Sequence, residues 1–283
     1  MTISIAHLGP TGTYSETAAL VYAKWLRENY NQEVVFNVHP SIAVALKAVA
    51  DQKCDCAVVP IENSVEGSVT MTLDSLWQRT NLKILRGFTI PICHMLLSRN
   101  RSLKGITTVY SHPQALGQCQ KWLENNLPQV KLVPTNSTAE ALKFPQQDLQ
   151  FAAIASARAA QLYQVPILKS QINDRPDNCT RFLVIGLENI NQGSYLSLAF
   201  SLPQNIPGAL VKPLQIFAER NINLSKIESR PTKRSLGEYL FYMDLEGNVN
   251  DSKVKSALQE LQEYTEVLNI FGNYDFIDVD DNC

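Results

Sequence analysis

The sequence lacks the features typical of nucleic-acid-binding, exported or membrane proteins. Its 25 Lys and Arg residues are balanced by 27 Asp and Glu residues, so the formal net charge is only -2. No basic field is available for a polyanion, and we expect no nucleic-acid partner. No stretch approaches the roughly 20 apolar residues of a membrane span, and the start MTISIAHLGP lacks the basic and apolar regions of an export signal. We therefore expect a cytoplasmic protein without a membrane partner.

The chain also lacks a cysteine pattern typical of a metal site or a disulfide framework. Most of its cysteines lie in apolar runs, which indicates reduced, buried thiols. Cys54 and Cys56 are close in sequence, but no second Cys or His pair accompanies them, so we expect no metal site. The six cysteines are Cys54, Cys56, Cys93, Cys119, Cys179 and Cys283.

What the sequence does contain is a long alternation of strand-like and helix-like segments. A chain of 283 residues exceeds what one hydrophobic core usually serves, and its 45% hydrophobic content suffices for a sizeable core. The alternation through about residue 186 predicts an α/β fold. Strands are expected at ISIAHLG, VVFNV, CAVVPI, LKILRGF, TTVYS, VKLVP, AAIA and RFLVIG, and helices at 15–30, 41–50, 70–78, 113–126 and 138–143.

The pattern changes after Gly186. LENINQGS is polar and rich in turn residues, so it is expected to be a linker. The segments that follow read strand, helix, strand, strand, helix, strand, with the helices at 207–220 and 251–265. That order is the split β-α-β arrangement of ferredoxin-like folds. The acidic end DFIDVDDNC is most simply a solvated tail.

The first of four polar clusters is GPTGTYS, which lies between a predicted strand and a predicted helix. Thr11, Thr13 and Ser15 supply hydroxyls there, and the N-terminus of a helix favours an anion such as a carboxylate. An ordinary turn capped by Ser15 would use the same residues. No Gly-Lys-Ser/Thr follows, so the segment is not a phosphate loop.

The second and third clusters also follow predicted strands. In VPIENSVEGSV, Asn63 and Ser64 lie where ligands of open α/β sheets bind, and Glu62 and Glu66 are candidates for pairing or proton transfer. A solvated loop is the alternative, because turns use the same residue types. The third cluster, YSHPQALGQCQ, offers Ser111 as a helix cap, with Gln114 and Gln118 on one helical face. Its His112 has no nucleophile elbow beside it, which favours a structural or ligand-orienting role.

The fourth cluster is DNCTRFLVIG, an apolar strand that begins with polar residues. The period of two in a strand places Thr180 and Phe182 on one face and Arg181 on the other. If Thr180 faces a cleft, an aromatic ring lies beside its hydroxyl. The alternative is that Thr180 is a simple strand former and Arg181 a surface cation.

Together, GPTGTYS, VPIENSVEGSV, SHPQALGQC and NCTRFLVIG resemble the signature segments of the prephenate dehydratase family, in the same order. PGAL and NLSKIESRPTK resemble the phenylalanine-binding elements of the ACT regulatory domain. The resemblance implies a two-lobed catalytic domain similar to the type 2 periplasmic-binding fold at 1–186, with lobes near 1–80 plus 177–186 and 82–175. A ferredoxin-like ACT domain would follow at 195–283.

The resemblance further implies decarboxylating dehydration of prephenate to phenylpyruvate without a cofactor, under regulation by phenylalanine. Thr180 is then expected to hydrogen-bond the departing hydroxyl as a donor or relay. A homodimer or homotetramer is expected, because the effector would bind between two ACT domains. The residues expected to bind substrate are Thr11, Thr13, Ser15, Asn63, Ser64, Ser111, Gln118, Arg181 and Phe182, and those expected to bind the effector are Gly208, Ala209, Leu210, Asn223, Leu224, Glu228 and Ser229.

Two other functions remain open at this point. Arogenate carries an ammonium in place of the keto group of prephenate, and an acidic partner such as Glu62 or Glu66 would favour it as substrate. A non-catalytic two-lobed solute-binding protein with a sensor domain is the second alternative. The missing export signal and the Thr-Arg-Phe segment argue against that second reading.

Overall fold

The computed structural model describes residues 2–188 and 192–279. Contacts between backbone positions divide the chain into two compact units, one mainly from Met1–Thr72 and Phe88–Phe182, the other from Leu73–Gly87 and Leu183–Ile277. The second unit includes 73–87, which the sequence assigned to the first domain. The predicted limits of 1–186 and 195–283 stay a prediction.

The strands and helices up to Gly186 confirm the predicted α/β class. The strands are β1 Thr2–Leu8, β2 Glu33–His39, β3 Cys56–Asn63, β4 Gly67–Ser68, β5 Lys83–Pro91, β6 Met95–Leu97, β7 Thr108–Ser111, β8 Lys131–Pro134, β9 Phe151–Ala155, β10 Ile167–Lys169 and β11 Cys179–Gly186. The helices are α1 Tyr14–Tyr30, α2 Ile42–Ala50, α3 Thr70–Gln78, α4 Pro113–Gln118, α5 Gln120–Asn126 and α6 Ala157–Tyr163.

The first lobe of the first unit is built on a sheet with the strand order β2-β1-β3-β11. β1 pairs in parallel with both β2 and β3. Consecutive residues of β1, Ile5 and Ala6, are both fully buried, because both faces of a parallel sheet are covered. This explains why two neighbouring residues that point to opposite faces of the sheet are both apolar.

A second sheet forms the other lobe, with the strand order β10-β6-β9-β7-β8. Alternate residues of β9 enter different cores: Ala152 and Ile154 pack in one cluster, and Ala153 and Ala155 in another. Because successive side chains of a strand point to opposite faces, both faces of this sheet are covered. The short elements β4, β6, β10 and α6 were not predicted from the sequence.

The single helix predicted over 113–126 is wrong, because two helices, α4 and α5, meet at Cys119. The carboxylate of Asp174 accepts hydrogen bonds from the backbone N–H groups of Lys121 and Trp122, both at 2.9 Å. A carboxylate distant in sequence thus satisfies N–H groups at the start of α5. The helix predicted at 138–143 is a short 3-10 helix, Glu140–Lys143.

The start of α1 is capped by its own sequence. The Thr13 hydroxyl accepts from the Glu16 N–H at 3.4 Å, and the Glu16 carboxylate accepts from the Gly12 N–H at 2.6 Å. Thr13, and not Ser15, is therefore the N-cap. Gly12 has φ +90°, where a side chain would be strained and would approach Tyr163 to 3.1 Å.

The second unit has the predicted ferredoxin-like order. From Tyr195 onward its elements are β12 Tyr195–Ser201, α7 Val211–Glu219, β13 Leu224–Pro231, β14 Tyr239–Glu246, α8 Ser252–Tyr264 and β15 Val267–Phe276. The sheet order is β13-β14-β12-β15, and β15 continues into a parallel pairing with β5 at Asp275 and Arg86. The helix predicted from Pro207 begins only at Val211, because the preceding residues form a turn.

The free thiols predicted from the sequence are confirmed at Cys54, Cys56, Cys119 and Cys179. Cys93 is disulfide-bonded, so the prediction is wrong at that position. Cys283, the middle of the predicted linker and the end of the acidic tail lie outside the described residues. Over the described ranges, none of the helices has the length and apolar character needed to cross a bilayer.

Candidate active site

A cavity of about 730 Å³ lies within the first unit, lined by residues of its first sheet and by residues of the other lobe that lie outside the strands of the second sheet. The start of α1 contributes Thr13, Tyr14 and Ser15 to its wall. The predicted substrate-binding and catalytic residues that line the cavity are Thr13, Ser15, Asn63, Gln118, Thr180 and Phe182. Six side chains from four separated sequence segments are thus brought together.

Thr180 and Phe182 present a hydroxyl and an aromatic ring to this cavity. Thr180 is only 7% exposed, and its Oγ1 accepts a hydrogen bond from Asn63 Nδ2 at 2.9 Å. Phe182 is buried and stacks on Phe88, with ring centroids 6.0 Å apart. A hydrogen bond that Thr180 donates in such an apolar setting is stronger than one in water, because water does not screen it.

A chain of amide hydrogen bonds continues from Asn63 into the other lobe. Asn63 Nδ2 donates to Asn178 Oδ1 at 2.8 Å, and Asn178 Nδ2 donates to Gln118 Oε1 at 2.9 Å. His94 Nε2 lies 2.8 Å from the same Gln118 oxygen. Gln118 Nε2 donates to Glu66 Oε1 at 3.2 Å. The chain therefore links cavity residues of both lobes.

His94, which no sequence motif indicated, is 2% exposed and lines the cavity. Burial lowers the pKa of His94 below the usual histidine value, and the opposing effect of the hydrogen bond with Gln118 is smaller. The neutral ring carries its proton on Nε2, because Gln118 Oε1 can only accept. Its Nδ1 lies 3.4 Å from the Tyr14 hydroxyl, whose pKa is raised far above the usual tyrosine value by burial.

His112 also lines the cavity, and it is the N-cap of α4 in place of the predicted Ser111. Its Nδ1 accepts from the Gln114 N–H at 3.3 Å. Burial lowers the pKa of His112, against the nearby Glu66 carboxylate, which raises it. A neutral imidazole that accepts at Nδ1 fits the predicted structural or orienting role better than a nucleophile-activating one.

Four predicted substrate-binding residues do not line the cavity. The Ser111 hydroxyl is buried and donates to the Ile154 carbonyl at 2.6 Å. Ser64 Oγ accepts from the Cys179 N–H at 3.0 Å. Arg181 pairs with Glu62 at 3.4 Å, on the strand face opposite to Thr180. Thr11 is exposed, and its carbonyl accepts from the Tyr163 hydroxyl at 3.2 Å.

The predicted effector residues of the second unit lie in two segments. Gly208, Ala209 and Leu210 form the turn before α7, where Gly208 has φ +81° and Leu210 packs against the core. Leu224 also packs against that core, and the preceding Asn223 carbonyl accepts from the Glu246 N–H.

Glu228 and Ser229 belong to β13, whose residues alternate between partly buried and exposed. Glu228 lies 3.9 Å from Lys226, and Ser229 is exposed. A second cavity of about 190 Å³ in this unit is lined by Ser201, Arg234 and Glu266 among others, and by none of the predicted effector residues.

The histidine, cysteine and acidic side chains of the described residues form no group of three or more that could hold a metal ion. The polar side chains that line the cavity are mainly hydroxyls and amides, with Glu66, Glu140 and Lys143 as its charged groups. Hydroxyl and amide groups can donate hydrogen bonds to a carboxylate or a hydroxyl without carrying a charge, and the N-terminus of a helix favours an anion.

Comparisons with known proteins find two family models that match this chain, one after the other. The family model of prephenate dehydratase matches residues 5–190, and that of the ACT domain matches 197–263. A prephenate dehydratase of Lactococcus lactis is 38% identical, with 96% of this chain and 97% of the relative covered.

Two solved structures share most of the fold. The prephenate dehydratase of Arthrobacter aurescens in complex with L-Phe is 33% identical, with a TM-score of 0.85 over 96% of this chain and 90% of that one. A structure described as a novel type of quorum quenching acylase is 26% identical, with a TM-score of 0.80 over 96% and 97%. By the match of the family model and the identity to the Lactococcus relative, this chain belongs to the prephenate dehydratase family and carries an ACT domain in its C-terminal part.

Proposed function

We propose that the chain is a lyase that converts prephenate to phenylpyruvate, carbon dioxide and water in the cavity of the first unit. The observation that carries this proposal is the Thr180 hydroxyl beside Phe182 in the cavity wall, within a set of neutral donors. In the reaction the bond from carbon to the ring hydroxyl breaks as the ring carboxylate leaves as carbon dioxide. The electron pair left by the carboxylate completes the aromatic ring, and the departing hydroxyl takes one proton to become water.

The residues of this chain have limited tasks in such a reaction. The start of α1 seats a carboxylate, because N–H groups and the helix dipole favour an anion there. Phe182 keeps the ring environment dry, and Thr180 donates a hydrogen bond to the hydroxyl as it leaves. A threonine is too weak an acid to release its proton outright, so Thr180 acts as a donor or relay.

Turnover of prephenate by purified protein tests this proposal directly. Thr180→Val should lower kcat by about 10² to 10⁴, the range for a lost donor in the transition state. Thr180→Ser is the matched control, since it keeps the hydroxyl and should retain most of the turnover. Wild-type protein that forms no phenylpyruvate, or a valine variant as active as wild type, would exclude the proposal.

Arogenate is the second candidate substrate, and Glu66 is the observation that favours it. Glu66 lines the cavity, whereas Glu62 is engaged by Arg181 outside it. A carboxylate in the wall would pair with the arogenate ammonium, whereas the keto group at the same position of prephenate carries no charge. Comparing kcat/KM for the two substrates in wild type and Glu66→Gln separates them: preference for arogenate that is lost in the variant supports this candidate.

We infer that phenylalanine binds the second unit and regulates turnover. The match to the ACT domain and the L-Phe complex of the Arthrobacter relative support this inference. The turn of Gly208–Leu210 offers N–H donors for a carboxylate, and Asn223 and Ser229 offer oxygen acceptors for an ammonium. Calorimetric titration with phenylalanine, together with inhibition assays, tests it. The predicted dimer or tetramer and the predicted cytoplasmic location stay predictions.

A further inference from the structure

The orientation of the Asn63 side-chain amide is determined by the turn that follows it. Its Oδ1 accepts from the backbone N–H groups of Val65 and Glu66, both at 3.0 Å. A backbone N–H can only donate, so the oxygen of the amide must lie on this side. The nitrogen must therefore lie on the other side, without the ambiguity that usually accompanies asparagine.

On that other side the Asn63 nitrogen faces acceptors. Nδ2 lies 2.9 Å from Thr180 Oγ1, 2.8 Å from Asn178 Oδ1 and 3.1 Å from the Cys179 carbonyl. An amide nitrogen donates and does not accept, so the Thr180 oxygen must be the acceptor. The single proton of the Thr180 hydroxyl is then excluded from this contact.

Asn178 favours the same orientation of the Asn63 amide. It is 2% exposed, and its Nδ2 donates to Gln118 Oε1 at 2.9 Å, which leaves its Oδ1 to face Asn63. Reversing the Asn63 amide would therefore break contacts with two backbone N–H groups and oppose two oxygens. Buried unsatisfied groups of this kind cost more than the bonds themselves contribute, so the orientation is strongly determined.

We propose that Asn63 is a positioning residue: by donating to the Thr180 oxygen, it directs the Thr180 proton toward the leaving hydroxyl. Asn63 occupies a lone pair of the Thr180 oxygen, and among the described residues no acceptor receives the Thr180 proton. Thr180 lines the cavity, so the proton is left for a ligand there. As that proton shifts toward the leaving oxygen, the Asn63 N–H stabilises the charge that develops on Thr180. This inference rests on the proposed function, and it assigns Asn63 to Thr180 and not to a direct contact with substrate.

Asn63→Asp reverses the polarity at nearly constant shape. One aspartate oxygen still accepts from Val65 and Glu66, whereas the other replaces Nδ2 and accepts the Thr180 proton, which turns it away from the cavity. We expect kcat to fall by about 10² to 10³, as for loss of one donor in a transition state. Asn63→Ala, which frees the Thr180 hydroxyl without reversing it, should lose less. The aspartate oxygen would also oppose Asn178 Oδ1 and the Cys179 carbonyl, so the part of its effect that acts through Thr180 is isolated by repeating the substitution without the Thr180 hydroxyl.

The decisive measurement repeats Asn63→Asp in a Thr180→Val background. The aspartate should then change kcat by no more than about twofold, because coupled residues do not add. Equal losses in both backgrounds, or alanine worse than aspartate, would overturn the inference. Failure of the proposed function has a different signature, since wild type would then not turn over prephenate or Thr180→Val would not impair it.

A substitution of a neighbouring residue in the same turn serves as the control for folding. Val65→Ala keeps the backbone donor, lies outside the cavity lining and should keep kcat within about twofold of wild type. Thermal unfolding of each variant shows whether the turn is intact. If Asn63→Asp does not fold, the comparison of Asn63→Ala with and without Thr180 still decides: an alanine effect of the same size in both backgrounds contradicts action through Thr180.

Discussion

Replacing Asp74 by asparagine should destabilise the second unit through Arg230. Asp74 accepts hydrogen bonds from Arg230 Nε at 3.2 Å and Nη2 at 3.3 Å, and from Lys233 Nζ at 2.5 Å. The side chains of Asp74 and Arg230 are 15% and 16% exposed. The asparagine side chain would offer one neutral oxygen to two cations and place an N–H against one of them.

The magnitude follows from this partial burial. Breaking a fully buried pair costs about 3 to 5 kcal/mol, and an exposed pair contributes about 0 to 1 kcal/mol. At the observed exposure we expect a loss of about 2 kcal/mol in the free energy of unfolding at pH 7. Glu28→Gln, which breaks the exposed pair with Lys24 on α1, is the matched control and should cost about 0.5 kcal/mol or less.

The effect of Asp74→Asn should depend on pH. Burial alone would raise the pKa of Asp74, but hydrogen bonds from Lys233 and Arg230, and their charges, hold it below the usual aspartate value. A lowered folded-state pKa contributes stability that is present above the unfolded pKa of about 3.9 and is lost as the pH falls through the folded pKa. The difference between wild type and variant should therefore shrink only below about pH 4.

Urea unfolding followed by circular dichroism measures both quantities. The double variant Asp74→Asn with Arg230→Met should recover much of the loss, because no unpaired guanidinium remains. A single-variant cost no larger than that of Glu28→Gln, or no recovery in the double variant, would refute the reasoning.

Three further predictions concern the cavity and the effector segments. Thr13→Val should raise KM for prephenate more than it lowers kcat, and removal of the cap should cost about 1 kcal/mol of stability; a collapse of kcat at constant KM would contradict this. His94→Gln should weaken the loss of stability on acidification, because the unfolded histidine binds a proton near pH 6.5 and the folded one resists it; parallel pH profiles of Tm would argue otherwise. Ser229→Ala should weaken phenylalanine binding, whereas Ser225→Ala on the same exposed face should not; equal calorimetric affinities would exclude Ser229.

Local periodicity was sufficient for much of the fold and for part of the candidate site. The alternation of apolar strands and capped helices predicted the α/β class, and the order of elements after Gly186 predicted the ferredoxin-like arrangement. The period of two in β11 also predicted correctly that Thr180 and Phe182 share a face opposite to Arg181. Such predictions succeed because the side-chain direction in a strand depends only on the backbone of that strand.

Residues whose role depends on a distant partner were harder to predict. Ser111 reads as a cap, but its hydroxyl is buried against the Ile154 carbonyl. The helix pattern over 113–126 is continuous in sequence, but the structure divides it at Cys119, and Asp174 from another segment accepts from N–H groups at the start of the second helix. His94 has no motif of its own, and only its contact with Gln118 marks it.

The amino-acid sequence by itself determined which residue types follow each strand, and hence that a cavity with hydroxyls, amides and an aromatic ring was available. Only the tertiary structure decided the direction of the hydrogen bonds among them. The Asn63 amide is oriented by its own turn, but its nitrogen meets Thr180, 117 positions away. Because a hydroxyl both donates and accepts, its role is set by the partner that the fold places against it.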